Sequence, residues 1–174
     1  MTRTCIALTG TDRHSFLQNL GTNQVAPGMP PTYAALLSPQ GKYIADFFVF
    51  EHDDTLIIDV AASHAPTLAQ KLMIYRLRAD VQIEEAPVFV HLGLGDAPDD
   101  GFADPRHSAL GWRAYRDTPQ EDVPDLVSVR IAHGIPETGI ALHADSYILE
   151  MGFERLSGVD FKKGVMSAKR GLRA

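Results

Sequence analysis

Residues 32–51 read TYAALLSPQGKYIADFFVFE, in which two apolar segments flank a Pro-Gln-Gly turn signal. Segments 33–37 and 43–50 are rich in aromatic and aliphatic residues, and the turn between them predicts a β-hairpin. Both segments are too apolar for strands with one face in water. The hairpin is therefore predicted to lie in the middle of a sheet that is covered on both faces.

An acidic residue, Asp46, stands inside the second strand of this hairpin. A carboxylate in such an apolar segment must find hydrogen-bond donors, meet a ligand or shift its pKa. Two interpretations follow: Asp46 accepts hydrogen bonds from backbone amides at the mouth of the sheet, or it contacts a ligand. A second apolar strand, residues 56–60, also contains an acid, Asp59.

Strands and helices alternate along the rest of the chain without strict βαβ spacing. This order predicts an α+β fold with mixed, largely antiparallel sheets and packed helices. Residues 93–105 are acidic and rich in Gly and Pro, which predicts a flexible loop and the best boundary between two subdomains. We expect a first α+β subdomain at 1–92, which contains the central hairpin, and a second α+β subdomain at 93–164. The predicted strands are 5–9, 33–37, 43–50, 56–60, 81–83, 87–92 and 112–115, and the predicted helices are 11–20, 65–75 and 122–132.

The composition favours a globular protein with a substantial core. The chain has 174 residues, of which 45% are hydrophobic, and a formal net charge of −6. Phosphate binding needs clustered cations, so a direct nucleic-acid partner is not expected. The single cysteine, the absence of a recognisable leader and the lack of a long apolar segment favour a cytoplasmic protein without a membrane partner.

Common catalytic and cofactor motifs are weak in this chain. None of the seven histidines forms an i, i+4 pair, so no metal site is predicted. Gly93-Leu94-Gly95 lacks the third glycine and the helix of a dinucleotide loop. Cys5 lies in an apolar strand, where a thiol is usually inert. The sequence therefore identifies no catalytic residue.

Two arginines follow the predicted helix at 65–75, in the sequence Tyr75-Arg76-Leu77-Arg78. Cations complement the helix dipole at a C-terminus, which is the simpler interpretation. The alternative is that Arg76 and Arg78 bind an anionic ligand through their guanidinium groups.

Five short motifs, read in order, extend over nearly the whole chain. As an ordered set they resemble the YgfZ-type folate-binding proteins, a group related to the T-protein of the glycine cleavage system, an aminomethyltransferase. The ordered series is specific, whereas each motif alone is weak. The motifs are residues 8–23 (LTGTDRHSFLQNLGTN), 38–46 (SPQGKYIAD), 75–79 (YRLRA), 130–136 (RIAHGIP) and 158–164 (GVDFKKG).

The resemblance implies a pocket for tetrahydrofolate or a derivative in the centre of a ring of subdomains. It implies that Tyr33 and Asp46 face this pocket, with Asp46 at the rim of a central cleft. A carboxylate there would hold a cationic amine of a reduced pterin, and a tyrosine would stack or hydrogen-bond beside it. Arg76, Arg78 and Lys163 are the further expected cofactor-binding residues.

The resemblance also implies a function. YgfZ-type proteins are associated with the maturation of iron–sulfur proteins, including enzymes that modify tRNA, so the expected partners are iron–sulfur proteins or their assembly machinery. A non-catalytic, truncated assembly factor is the leading interpretation. The alternatives are an aminomethyltransferase of the T-protein type and a nonfunctional fragment whose fold persists. The T-protein has two adjacent acids where this chain has Ala45-Asp46, which counts against efficient transfer.

The chain departs from the family at its end. The family signature is K-G-C-Y-x-G-Q-E, but Lys163-Gly164 is followed here by VMSAKR, and a C-terminal β-barrel does not follow. Val-Met-Ser-Ala-Lys-Arg can be encoded so that a one-base shift reads Cys-Tyr-Val-Gly-Gln-Glu. We therefore expect residues 165–174 to be an out-of-frame, disordered tail. The missing barrel is also expected to leave an apolar flank exposed around Ile148, Leu149, Met151 and Phe153.

Overall fold

The computed structural model describes residues 2–163, so the predicted tail at 165–174 lies outside the described residues. Within this range the chain forms eight strands, three α-helices and one short 3₁₀ helix. In chain order they are β1 (Arg3–Thr9), α1 (Arg13–Leu20), β2 (Thr32–Leu37), β3 (Tyr43–His52), β4 (Thr55–Ala61), α2 (Ala65–Arg76), β5 (Gln82–Glu85), β6 (Phe89–Gly93), β7 (Gly101–Ala103), the 3₁₀ helix (Ser108–Leu110), β8 (Trp112–Arg116) and α3 (Val127–His133).

The central layer is a five-stranded antiparallel sheet in the order β2-β3-β4-β1-β5. A second antiparallel sheet has three strands in the order β6-β8-β7. The predicted α+β class with antiparallel sheets is therefore confirmed. None of the helices in residues 2–163 is long and apolar enough to cross a membrane.

The predicted hairpin is confirmed as β2 and β3. Its turn is closed by the Ser38 amide, which donates to the Lys42 carbonyl at 2.8 Å, and by the Gly41 amide, which donates to the Ser38 carbonyl at 2.9 Å. Gly41 has a φ of +81°, a conformation that glycine adopts without steric cost. The Pro-Gln-Gly signal was thus a sound predictor because its glycine occupies the position that needs positive φ.

Both faces of the hairpin are buried, as predicted. One face packs against α1 and α2 in a core that includes Leu36, Phe47 and Leu72. The opposite face packs against residues from the second half of the chain, in a core that includes Tyr33 and Phe153. Continuous burial on two faces explains why these strands lack an alternating polar pattern.

The three-stranded sheet differs from the sequence-based prediction. Strand β7 lies inside residues 93–105, which we predicted to be a loop, and it pairs with β8 through Phe102 and Arg113. Strand β6 also pairs with β8, so this sheet contains residues from both sides of the boundary at residue 92. The division into subdomains 1–92 and 93–164 stays a prediction. Helix α3 is shorter than predicted, and it begins only at Val127.

The predicted apolar flank is only partly exposed. Ile148 and Phe153 are 1% and 0% exposed, so the prediction is wrong for these two residues. Phe153 stacks on the ring of Tyr33 with centroids 5.2 Å apart. The segment after α3 therefore covers the free face of the hairpin, and this contact buries the aromatic side chains that were expected to lie open.

Candidate functional site

Tyr33 and Asp46 lie on the same face of the five-stranded sheet. Asp46 is paired with Ala35, and Tyr33 is paired with Phe48 two positions along, so both side chains leave the sheet on one side. The Tyr33 hydroxyl donates to Asp46 Oδ2 at 2.9 Å. Tyr33 and Asp46 are only 1% and 4% exposed. The expected convergence is present, but the expectation that Asp46 lies at the rim of an open cleft is wrong.

Asp46 accepts hydrogen bonds from two further hydroxyl groups. Tyr43 donates to Oδ1 at 2.6 Å, and Thr138 donates to the same oxygen at 2.5 Å. Burial alone would raise the pKa of Asp46, but the Arg3 guanidinium and the three hydroxyl donors outweigh burial and lower it. Asp46, Tyr33, Tyr43 and Thr138 form the Asp46 cluster, in which an ionised carboxylate that is only 4% exposed is held by three hydroxyl groups.

A β-bulge brings Tyr43 to this cluster. Residues 43 and 46 are three apart, so in a regular strand their side chains would leave on opposite faces. The pairing shifts between Leu36, which is opposite Ala45, and Leu37, which is opposite Tyr43. This extra residue in β3 turns Tyr43 to the face of Asp46. The bulge has no signal in the sequence, which is why Tyr43 was not a candidate.

Three buried arginines surround the ring of Phe48 beside the cluster. Their guanidinium carbons lie 3.7 Å (Arg113), 4.8 Å (Arg106) and 5.4 Å (Arg3) from the ring centroid. Guanidinium groups at such distances from an aromatic ring make favourable cation–π contacts. Arg106 also lies 5.3 Å from the ring centroid of Tyr33, which connects the arginines to the Asp46 cluster.

Two further buried carboxylates balance these arginines. Asp59 accepts hydrogen bonds from Arg3 and, at 2.6 Å, from Arg113. Asp104 accepts a forked pair from Arg106, at 2.9 and 2.7 Å, and a third bond from Arg113 at 3.1 Å. Burial alone would raise the pKa of Asp104, but the Arg106 guanidinium first and then Arg113 hold it well below its usual range. The two sheets are therefore joined by a buried ionic network.

Sequence reasoning missed most of this network. Asp59 was noticed as an acid inside an apolar strand, and that signal was real because the residue is fully buried. Asp104 lies at the end of the acidic segment 93–105 and Arg106 directly after it, and neither was a candidate site residue. Arg3 and Arg113 are 110 positions apart in the numbering of the chain and meet only in the folded protein.

Arg76 and Arg78 do not join the Asp46 cluster. Helix α2 packs through Leu72 on the other face of the five-stranded sheet, and both arginines are exposed near its C-terminus. Arg76 Nη1 donates to the carbonyl of Val81 at 3.3 Å. The geometry therefore favours the helix-end interpretation, and the assignment of Arg76 and Arg78 as cofactor-binding residues stays a prediction.

Lys163 lies at the edge of the hairpin rather than in contact with Asp46. Its Nζ donates to the carbonyls of Gly21, at 2.6 Å, and Asn23. The Asn23 amide in turn donates to the Tyr33 carbonyl at 2.9 Å. Burial lowers the pKa of Lys163 to about 8. Lys163 therefore ties the last described residues to the backbone beside Tyr33.

Thiol and metal chemistry receive no support from the described residues. Cys5 is buried at 1% exposure, and burial raises the pKa of its thiol. Among residues 2–163, no three His, Cys, Asp or Glu side chains lie together in a way that could hold a metal ion.

Comparison with known proteins identifies relatives for nearly the whole chain, although no family model matches it. The iron–sulfur cluster assembly factor IBA57 homolog, mitochondrial, of Phaeosphaeria nodorum is 29% identical over 195 residues, which is 93% of this chain and 47% of that protein. The iron–sulfur cluster assembly factor IBA57, mitochondrial, of mouse (Mus musculus) is 26% identical, and the match covers 93% of this chain and 57% of that protein. The Mycosarcoma maydis homolog is 25% identical, and the match covers 93% of this chain and 49% of that protein. Its curated relatives are iron–sulfur cluster assembly factors.

These matches also correct one prediction. All four curated relatives are named as mitochondrial proteins, which contradicts the predicted cytoplasmic location. The chain spans about half the length of the curated relatives it matches. Among solved structures, the glycine cleavage system aminomethyltransferase T from Bartonella henselae matches 49% of this chain and 25% of that protein, with 16% identity and a TM-score of 0.46.

Proposed function

We propose that this chain belongs to an accessory factor for iron–sulfur cluster assembly and that it binds a reduced folate at the Asp46 cluster. The names of the curated relatives support the assembly role. The expected partners are iron–sulfur proteins or their assembly machinery, and the YgfZ-type resemblance extends this proposal to tRNA-modifying clients. The observation that carries the folate proposal is the ionised, buried carboxylate of Asp46 with Tyr33 at 2.9 Å.

A reduced pterin offers N–H donors and a flat ring, and the cluster offers a carboxylate beside a tyrosine. In the described state both oxygens of Asp46 already accept hydroxyl groups, and Phe153 occupies one face of Tyr33. Folate binding therefore requires that Thr138 and Phe153, which belong to the segment after α3, move away from the hairpin. The ligand would replace their contacts with charge-assisted hydrogen bonds and stacking.

Ala45 does not change the chemistry of this site. It is fully buried and lies in the core on the helix-covered face of the sheet, away from the Asp46 carboxylate. A second acid at this position would point into apolar packing in this fold. The T-protein alternative is therefore tested by activity rather than by the residue at position 45.

The proposal is tested by calorimetric titration of tetrahydrofolate into the full chain and into Asp46→Asn. We expect roughly 10- to 100-fold weaker binding in the variant, because a hydrogen bond to a charged group contributes about 1.5–3 kcal/mol. Asp145→Asn is the matched control, because Asp145 is an exposed carboxylate that pairs with Lys42.

Equal affinity of wild type and Asp46→Asn would remove Asp46 from the folate site. Folding of each variant is checked by its urea unfolding curve, so that a loss of binding is not confused with a loss of structure. Aminomethyl transfer to tetrahydrofolate that depends on Asp46 would instead favour the T-protein alternative.

A further inference from the structure

The second half of the chain lines a cavity whose wall includes neither Tyr33 nor Asp46. Its volume is about 500 Å³, within the range of small-molecule sites in proteins. Much of the wall is apolar, with contributions from Ile131, Ile135 and Met151. The cavity is therefore large enough for a small ligand with an apolar body.

Arg130 is the unusual member of this wall. The residue is only 9% exposed, and no group within residues 2–163 accepts a hydrogen bond or forms an ion pair with its guanidinium. Burial and the nearby Arg106 lower the pKa of Arg130, whereas Glu137 raises it. The Arg130 nitrogens are not among the fully buried, unpaired polar atoms of the described residues, so the guanidinium is open to the cavity, where a bound anion would pair with it.

Arg130 is also separate from the buried ionic network. Three buried aspartates, at positions 46, 59 and 104, are matched by the arginines of the ionic network, at positions 3, 106 and 113. Arg130 and Lys163 are further buried cations outside this set. Of these two, only Arg130 lines the cavity.

We propose that this cavity binds a small ligand with one carboxylate and an apolar body. The carboxylate accepts a forked pair of hydrogen bonds from Arg130, a geometry that suits a planar guanidinium. The apolar body packs against the isoleucines and Met151. Arg155 also lines the cavity, but its guanidinium already donates to the carbonyls of His133 and Gly134. Glu137 and Glu150 line the cavity as well and would repel a second negative charge. This proposal is independent of folate binding at the Asp46 cluster.

The probes are 4-methylpentanoate, its neutral amide 4-methylpentanamide, and the dicarboxylate glutarate. Binding is followed in the full chain by NMR of ¹³C-methyl methionine, with the Met151 signal assigned from Met151→Leu. We expect the acid to shift the Met151 signal at a concentration about tenfold or more below that needed for the amide, and glutarate to bind more weakly than the acid. Met29 and Met73, which do not line the cavity, should not shift.

Arg130→Gln should reduce the affinity for the acid to that for the amide, whereas Arg78→Gln, at an exposed arginine on another part of the fold, should leave it unchanged. Equal affinity of wild type for acid and amide would overturn the proposal, as would unchanged acid binding in Arg130→Gln. A shift at Met29 or Met73 in place of Met151 would also overturn it. If Arg130→Gln does not fold, the comparison of acid and amide in wild type still decides the question.

Discussion

Replacement of Arg113 by alanine should destabilise the fold strongly. Arg113 is 1% exposed, and it connects Asp59 and Asp104 through bonds of 2.6 and 3.1 Å while its guanidinium lies over Phe48. Removing one partner of a buried ion pair typically costs about 3–5 kcal/mol, because the remaining charge stays desolvated. Each aspartate retains another arginine, and Arg113 Nη2 has no hydrogen-bond partner among residues 2–163. We therefore expect Arg113→Ala to lower the unfolding free energy by about 3 kcal/mol, the lower end of this range.

Urea unfolding at pH 7 measures this loss, with Arg116→Ala as the control. Arg116 lies on the same strand and pairs with Asp100 at 2.7 Å, but the two side chains are 37% and 53% exposed. An exposed pair contributes about 0–1 kcal/mol. At roughly 2–4 °C per kcal/mol for a domain of this size, Arg113→Ala should lower Tm by about 6–12 °C and Arg116→Ala by much less.

The same variant should show a distinct pH dependence. The folded-state pKa of Asp104 is lowered, so its interactions stabilise the protein above the unfolded-state pKa of about 4, and this contribution is lost as the pH falls below that value. The difference between wild type and Arg113→Ala should therefore shrink in acid. If Arg113→Ala loses no more unfolding free energy at pH 7 than Arg116→Ala, with an unchanged m-value, the claim that the buried network joins the two sheets is refuted.

Two further predictions concern the cluster and the backbone. Thr138→Val removes one hydroxyl donor to Asp46, so we expect a loss of about 1.5–3 kcal/mol in unfolding free energy and a higher Asp46 pKa. Urea unfolding measures the first and carboxyl NMR titration the second. An unchanged Asp46 pKa would contradict the assigned hydrogen bond. Gly111→Ala should destabilise the fold far more than Gly28→Ala. Both glycines have φ near +70°, but a Cβ at Gly111 would lie 2.0 Å from the Gly93 carbonyl oxygen, whereas a Cβ at Gly28 would meet open space. Equal melting temperatures of the two variants would show that backbone strain alone matters.

The hairpin was predictable because its information is local. The apolar segments of β2 and β3 are continuous, and Gly41 occupies a turn position that needs positive φ. Asp46 was also recognisable, since a carboxylate in a doubly buried strand must find donors. Its three hydroxyl donors were only partly recognisable. Tyr33 follows from strand pairing, but Tyr43 depends on a bulge and Thr138 comes from a distant segment.

The features that the local sequence did not predict share a different cause. Arg76 and Arg78 were predicted to bind the same cofactor as Asp46, and the packing of α2 places them on the opposite face of the sheet. Residues 93–105 carried the composition of a loop, yet β7 forms there because β8 offers it an edge to pair with. These outcomes depend on tertiary packing, because strand pairing and helix docking involve residues that are far apart in the sequence, and a short window of sequence does not contain both partners.

The sequence by itself determined the α+β class, the buried hairpin and the presence of an acid that needs partners, because burial and turn geometry leave periodic and conformational signals in neighbouring residues. Only the tertiary structure decided which charges meet. Arg3 comes from the first strand and Arg106 and Arg113 from the second half of the chain, and all three meet at Phe48. Arg130 lines a cavity, and its guanidinium has no hydrogen-bond or ion-pair partner within the described part of the chain. Electrostatic balance in a protein interior is a property of three-dimensional proximity, so it appears only once the two sheets have packed together.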